Sequence, residues 1–231
     1  MTAPKLADPR EVWNTRFERI RERAAHSGSR GQGNYERWLE RWLPLIGSIT
    51  GSAPILDLGC GSGGDSTYLT GQGFRTISVD ISREALILTA CAGCLPPHAR
   101  LLEVDVRGGL PFRAGSLPVI VANLSLHYHR WERTCAILQD IRRCLQPGGL
   151  LLARLNSTAD LLHGARGNPP LEHNCYEVGG ILKRFYDRRD LDALFHAGLE
   201  WRVHNIEART AHCYENPKAL WEVVVESAST Y

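Results

Sequence analysis

The sequence predicts an α/β protein, a doubly wound and mostly parallel sheet with a small helical cap in front of it. Three observations predict it. Short apolar runs alternate with helix-like segments from about residue 54 onward, a pattern that needs parallel strands joined by crossover helices. One run, Ile55-Leu56-Asp57-Leu58, opens onto the turn Gly59-Cys60-Gly61-Ser62-Gly63-Gly64 and then a polar helix start at Asp65. Acids sit in or at the ends of the first three strands, as Asp57, Asp80 and Asp105. Ligands of open α/β sheets lie at the carboxyl ends of the strands, so the residues that predict the fold also mark a site.

The elements follow in order. Residues 9 to 25 read as a helix, with Trp13, Phe17 and Ile20 on one stripe. Ser27 to Gly33 is a glycine-rich break, and a second helix is expected from Tyr35 to Ile46, with Trp38, Leu39, Trp42 and Leu43 facing inward. Residues 1–50 are therefore a cap or lid on a main domain of residues 51–231. Strand one is Ile55–Leu58, helix one Asp65–Gln72, strand two Phe74–Asp80 and helix two Ser82–Ala92, with Ser82 as its N-cap. Strand three is Arg100–Val104 and strand four Pro118–Leu124. A long helix, Trp131–Leu145, is stopped by Pro147-Gly148-Gly149, and strand five is Leu150–Asn156. Residues 157–183 break the alternation as an insert, expected to be a long loop, functional or disordered. A helix at Asp187–Ala197 and strands at Trp201–Ala208 and Trp221–Glu226 complete the chain, with a short helical turn expected between those two strands.

Length and composition bound the function. The 231 residues are 43% hydrophobic and 23% charged, enough for one cored domain with an appendage. The formal net charge of +2 gives no basic surface of the kind that binds nucleic acid or membranes. No apolar run reaches the ~18 residues of a membrane span, and the first residues lack a signal-peptide core. Seven cysteines, an odd number, argue for a reducing compartment, so the expected location is the cytoplasm. Cys91-x-x-Cys94 has no second Cys or His pair at finger spacing, and His163, His173 and Cys175 are loosely spaced, so no metal site is expected.

The glycine turn supports two readings. Gly59, Gly61 and Gly64 satisfy Gly-x-Gly-x-x-Gly, the dinucleotide fingerprint, with Asp80 as ribose acceptor. Asp57 with glycines at 59, 61 and 63 favours something else. A carboxylate beside the loop is poorly placed against a pyrophosphate and well placed near a cation. The stretch closely resembles motif I of class I S-adenosylmethionine (SAM) methyltransferases, and Asn123-Leu124-Ser125-Leu126-His127-Tyr128 resembles their motif IV in its small-molecule form. The resemblance covers residues 51–156 strongly and 184–231 weakly. It implies a seven-stranded Rossmann-like sheet whose last strand is inserted antiparallel, SAM as cofactor, and a small-molecule acceptor with no nucleic acid or membrane partner. No Tyr-x-x-x-Lys pair is present to support an NAD(P) oxidoreductase. A SAM-binding protein without turnover is the remaining alternative, and oligomeric state is left open.

The resemblance also assigns residues. Asp57, Gly59, Cys60, Gly61 and Gly63 would hold the methionine part of the cofactor, Asp80 the ribose hydroxyls, Ile81, Asp105 and Val106 the adenine, and Asn123 the sulfonium region. SAM is an activated electrophile, so alignment is the main task, worth up to ~7–11 kcal/mol, and a base is optional. His127 is the candidate base, as the one residue of 123–128 that titrates near neutral pH. Tyr128, His173, Tyr176 and Arg184 are the candidate acceptor-binding residues.

Overall fold

A computed structural model describes residues 6–27, 35–91, 99–196 and 201–228. Strands β1 (Ile55–Leu58), β2 (Thr76–Asp80), β3 (Arg100–Glu103), β4 (Leu117–Asn123) and β5 (Leu145–Asn156) run parallel. Strand β10 (Lys218–Ser227) pairs antiparallel with both β5 and β9 (Trp201–Ala211), giving the seven-stranded order β3-β2-β1-β4-β5-β10-β9. The inserted antiparallel last strand is thus where the resemblance put it.

Both faces of the sheet are covered, which is why its central strands read as unbroken apolar runs. Leu56, Leu58, Ile120, Leu151 and Val223 face helices α5 (Trp131–Cys144) and α6 (Arg188–Phe195). Ile55, Val119, Val121, Leu150 and Val224 face the opposite layer, with Trp38, Ile46 and Leu69, which includes α2 (Leu43–Thr50) and α3 (Gly64–Gly71). Helix α6 starts on a capping box in which the Asp187 and Asp190 side chains each bond the other's backbone. Helix α1 (Pro9–Ser27) rests against α4 (Arg83–Cys91): Ser82 Oγ donates to Asn14 at 2.8 Å and Arg21 pairs with Glu84 at 3.0 Å.

Four expectations change. The helix expected at Tyr35–Ile46 is a 3-10 turn at Glu40–Trp42 followed by α2. Pro44 is the reason, since proline fits the first helical turn and clashes inside it. Strand β5 begins directly after α5, and Gly148 and Gly149 lie within it, beside the register shift between Leu117 and Val119. A Cβ at Gly149 would come within 2.8 Å of the Gln146 carbonyl oxygen. The 157–183 insert is not a loop; it carries β6 (Pro170–Glu172), β7 (Cys175–Val178) and β8 (Ile181–Arg184), an antiparallel meander. No helical turn separates β9 and β10; the two strands simply extend toward each other. The expected break at 28–33 and Cys94 lie outside the described residues, and the six described cysteines are free.

Candidate active site

The glycine turn after β1 is held in a shape that side chains resist. Gly59 has φ 73°, and a Cβ there would sit 2.4 Å from Ser125 Cβ. Only glycine satisfies both demands. Ser125 Oγ in turn donates to the Leu58 carbonyl at 2.6 Å, so the turn after β4 is fastened to the end of β1. Leu124, with φ 55°, takes a left-handed conformation uncommon for a branched residue. These contacts bring the two segments read from sequence into one wall.

That wall borders a cavity of about 680 Å³ over the carboxyl ends of the parallel strands, within the ~300–1,000 Å³ range of small-molecule sites. Trp13, Phe17 and Ile20 of α1 line its opposite side. Trp13 stands edge-on to Tyr128 with ring centroids 4.9 Å apart, and the Phe17 ring lies 3.4 Å from where a Gly61 Cβ would be.

Asp80 lines the cavity at the end of β2. Its two oxygens accept from the backbone N–H groups of Gly61 at 3.0 Å and Ser82 at 2.8 Å, which ties the glycine turn to β2 and leaves lone pairs for a ligand. Burial raises its pKa, and those two donors pull the other way. Ile81, Asp105 and Val106 line the same end. Asp105 grips the Arg107 guanidinium at 2.6 Å, and that partner holds its carboxyl below the ordinary value. Cys60, Gly61 and Asn123 also line the cavity.

Asp57 lies elsewhere. It is fully buried beneath the turn and accepts from Ser66 Oγ at 2.5 Å, outside the cavity lining. Burial, then the charge of Asp65, raises its pKa far above the carboxylate range. Of the neighbouring pair it is Asp65 that faces the cavity, and three of its partners are the Tyr35 hydroxyl at 2.6 Å, Trp38 Nε1 at 2.8 Å and Asn123 Nδ2 at 2.8 Å. Asp65 follows the glycine run directly, so its place at the helix start was available in the sequence. The convergence of Tyr35 and Trp38 on it was not.

At the other end stand His127 and Tyr128. His127 is fully buried, and its Nδ1 has no hydrogen-bond partner among the described residues. Burial, then the charges of Lys218 and Lys183, push its pKa well below the usual value, so it is neutral near pH 7 rather than titrating there. Arg184, His173 and Tyr176 are outside the lining. Arg184 is buried in the β6–β8 meander: it pairs with Glu172, donates to the His129 and His173 carbonyls, and lies over the Trp131 ring. A buried guanidinium so occupied is a structural pin. His173 is exposed, and Tyr176 packs on Phe185. The meander contributes Lys183 instead, which the sequence reading passed over.

The methyltransferase-domain family model matches residues 55–149, which span the glycine turn, the acid-bearing strand ends and the turn after β4. Those residues are similar to a methyltransferase domain. The chain is 26% identical over 140 residues to an uncharacterized methyltransferase of Synechocystis sp., covering 60% of this chain and 63% of that one. The chain spans about half to two thirds of the length of the curated relatives it matches. Among solved structures, a SAM-dependent methyltransferase of Methanosarcina mazei shares the fold at TM-score 0.68 and 19% identity, covering 80% of this chain and 97% of that one. So does 1,6-didemethyltoxoflavin-N1-methyltransferase of Burkholderia thailandensis, with bound 1,6-didemethyltoxoflavin and S-adenosylhomocysteine (TM-score 0.59, 19% identity, 99% and 94% covered). A methyltransferase domain of this kind uses SAM, and the residues here fit it: the cavity holds acids for hydroxyl and amine groups, a glycine turn for close approach, and no lysine or arginine on the turn to meet a phosphate.

Proposed function

We propose that this protein is a SAM-dependent methyltransferase acting on a small molecule. The observation that carries the reading is that one cavity joins the glycine turn and Asp80 to the 123–128 segment under the aromatic stripe of α1. When bound, SAM supplies an electrophilic methyl group. The protein's part is to hold and align. Asp80 takes the ribose hydroxyls with the lone pairs its backbone bonds leave free. Ile81, Asp105 and Val106 receive the adenine, and Cys60, Gly61 and Asn123 border the methionine end with Asp65. His127 and Tyr128 face the acceptor. Helix α1, packed on α4 through polar contacts and a single ion pair, acts as the cover that keeps water out and limits the acceptor to a small molecule. The likeness to a 1,6-didemethyltoxoflavin-N1-methyltransferase is in keeping with a small acceptor.

Calorimetry tests the cofactor. Micromolar S-adenosylhomocysteine binding with none by NAD is expected. The reverse result would overturn the reading and restore the dinucleotide one.

A further inference from the structure

The two ends of the cavity differ in charge, and the end away from the glycine turn is built from basic groups. Three separate segments converge there at the carboxyl end of β5. Asp160 follows β5, Lys183 comes from β8, and Lys218 opens β10. The Arg184 N–H donates to the His127 carbonyl at 2.7 Å, which binds β8 to the segment after β4. Lys218 Nζ and Asp160 form a buried pair at 2.7 Å, and Asp160 also bonds His163 Nδ1 at 2.6 Å. Both Asp160 oxygens are thereby used.

Lys183 is left over. Its Nζ donates to the His163 carbonyl at 2.8 Å and lies 5.4 Å from the Phe185 ring centre. Among the described residues it has no carboxylate within ion-pair distance, and it lines the cavity half-buried. Burial, then the charge of Lys218, lower its pKa to about 8, with Arg16 from α1 pushing the same way and Asp160 opposing. A cation taken partly out of water beside two others is costly unless an anion meets it. His127, whose buried Nδ1 has no hydrogen-bond partner among the described residues, lines the same cavity.

We infer that the acceptor is an acid, bound as its anion with the negative group against Lys183 Nζ on the His127 side of the cavity. The inference rests on the methyltransferase reading, whose own test is S-adenosylhomocysteine binding. Lysine serves carboxylate and phosphate alike as a compact point charge, so the test must separate the two.

Ligand-observed NMR on the full chain, with and without S-adenosylhomocysteine, would compare benzoate, hexanoate and phenyl phosphate with benzamide and hexanamide. At least one acid should bind about 10-fold or more tightly than the amides, the order expected of one charge-assisted contact. Benzoate against phenyl phosphate then identifies the anion. Lys183→Met should abolish the acid preference, Lys183→Arg should keep it, and both should bind S-adenosylhomocysteine within about threefold of wild type. Acid binding should also weaken as pH rises from about 8, as Lys183 loses its proton among Arg16, Lys218, Asp160 and His163. Acids and amides binding alike would overturn the inference, as would an acid preference that survives in Lys183→Met. Loss of S-adenosylhomocysteine binding in Lys183→Met would overturn it too, by placing the lysine on the cofactor. Failure of wild type to bind S-adenosylhomocysteine counts against the methyltransferase reading, while the acid–amide contrast is still read in the ligand-free samples.

Discussion

The two ends of the cavity are made in different ways. The end over β1 to β3 is lined by acids, Asp65, Asp80 and Asp105, each held by donors from its own neighbourhood or, for Asp65, from Tyr35, Trp38 and Asn123. The end over β5 and β10 is lined by Lys183, Lys218, His127 and His163. The first end suits hydroxyls, an amine and a sulfonium; the second suits an anion. Acids on the first end come one after another in the chain, Asp65 at the start of α3, Asp80 at the end of β2 and Asp105 just after β3. Bases on the second are gathered from four segments that the topology brings together, and Lys183 among them has no carboxylate within ion-pair distance among the described residues. The difference teaches where general and particular chemistry would lie in the proposed reading: the 57–128 stretch on the cofactor, the assembled cluster on the acceptor.

Substitutions at the acid end should act on the cofactor most strongly. Asp80→Ala removes the carboxylate proposed to take the ribose hydroxyls and orphans the N–H groups of Gly61 and Ser82. With charge-assisted hydrogen bonds worth ~1.5–3 kcal/mol each, S-adenosylhomocysteine affinity should fall at least about 10-fold. Unchanged affinity by calorimetry in a folded Asp80→Ala protein would dissolve the division between the two ends.

At the basic end the effect should be smaller and confined to turnover. His127→Ala should lower kcat/KM about 10-fold, the value of one hydrogen bond to a charged group, with S-adenosylhomocysteine affinity within about threefold of wild type. Because His127 is held neutral by burial and by Lys218 and Lys183, the pH profile of turnover should show no limb near 6.5 that disappears in the variant. Such a limb would mean that His127 titrates as a free imidazole and that the two lysines do not face it. Wild-type turnover by a folded variant would remove it from the acceptor side.

The same contrast governs what was legible in the sequence. The glycine turn, Asp80, Asp105 and the 123–128 segment are local patterns, and their strand–turn–helix context is local too. Lys183, Lys218 and Asp160 follow no period, and only the pairing of β5 with β10 and the meander brings them together. The meander itself left a sign that was missed. Gly179-Gly180 joins β7 to β8 with φ 61° and 84°, the two-residue hairpin turn that a Gly-Gly pair favours. From sequence its glycines read as a loop, because the strands they join are only four residues long. Pro44 likewise announced where α2 begins. Arg184 could not be judged from sequence, since whether an arginine is solvated or pinned depends on Glu172 and two carbonyls distant in the chain.

The weakest effect is expected at the residue the glycine pattern made most prominent. Asp57 and Asp65 are buried close enough that each disfavours the other's charge. Asp65 has the Tyr35, Trp38 and Asn123 donors and the Arg154 charge. Asp57 has Ser66. The better-solvated partner keeps the charge, so Asp57 holds the proton. Asp57→Asn is then nearly isosteric with the form already present, and S-adenosylhomocysteine affinity should change by no more than about threefold. Stability supplies the sign. A carboxyl whose folded pKa lies above its unfolded value, about 3.9, gives stability that is present in acid and lost as pH rises through the folded pKa. The asparagine has no such slope. The Tm of Asp57→Asn minus that of wild type should therefore grow from pH 5 to pH 8, measured by differential scanning calorimetry without ligand. A flat difference would show Asp57 ionised throughout. A 10-fold loss of cofactor affinity in the folded variant would move Asp57 into the acid end of the cavity, beside Asp65.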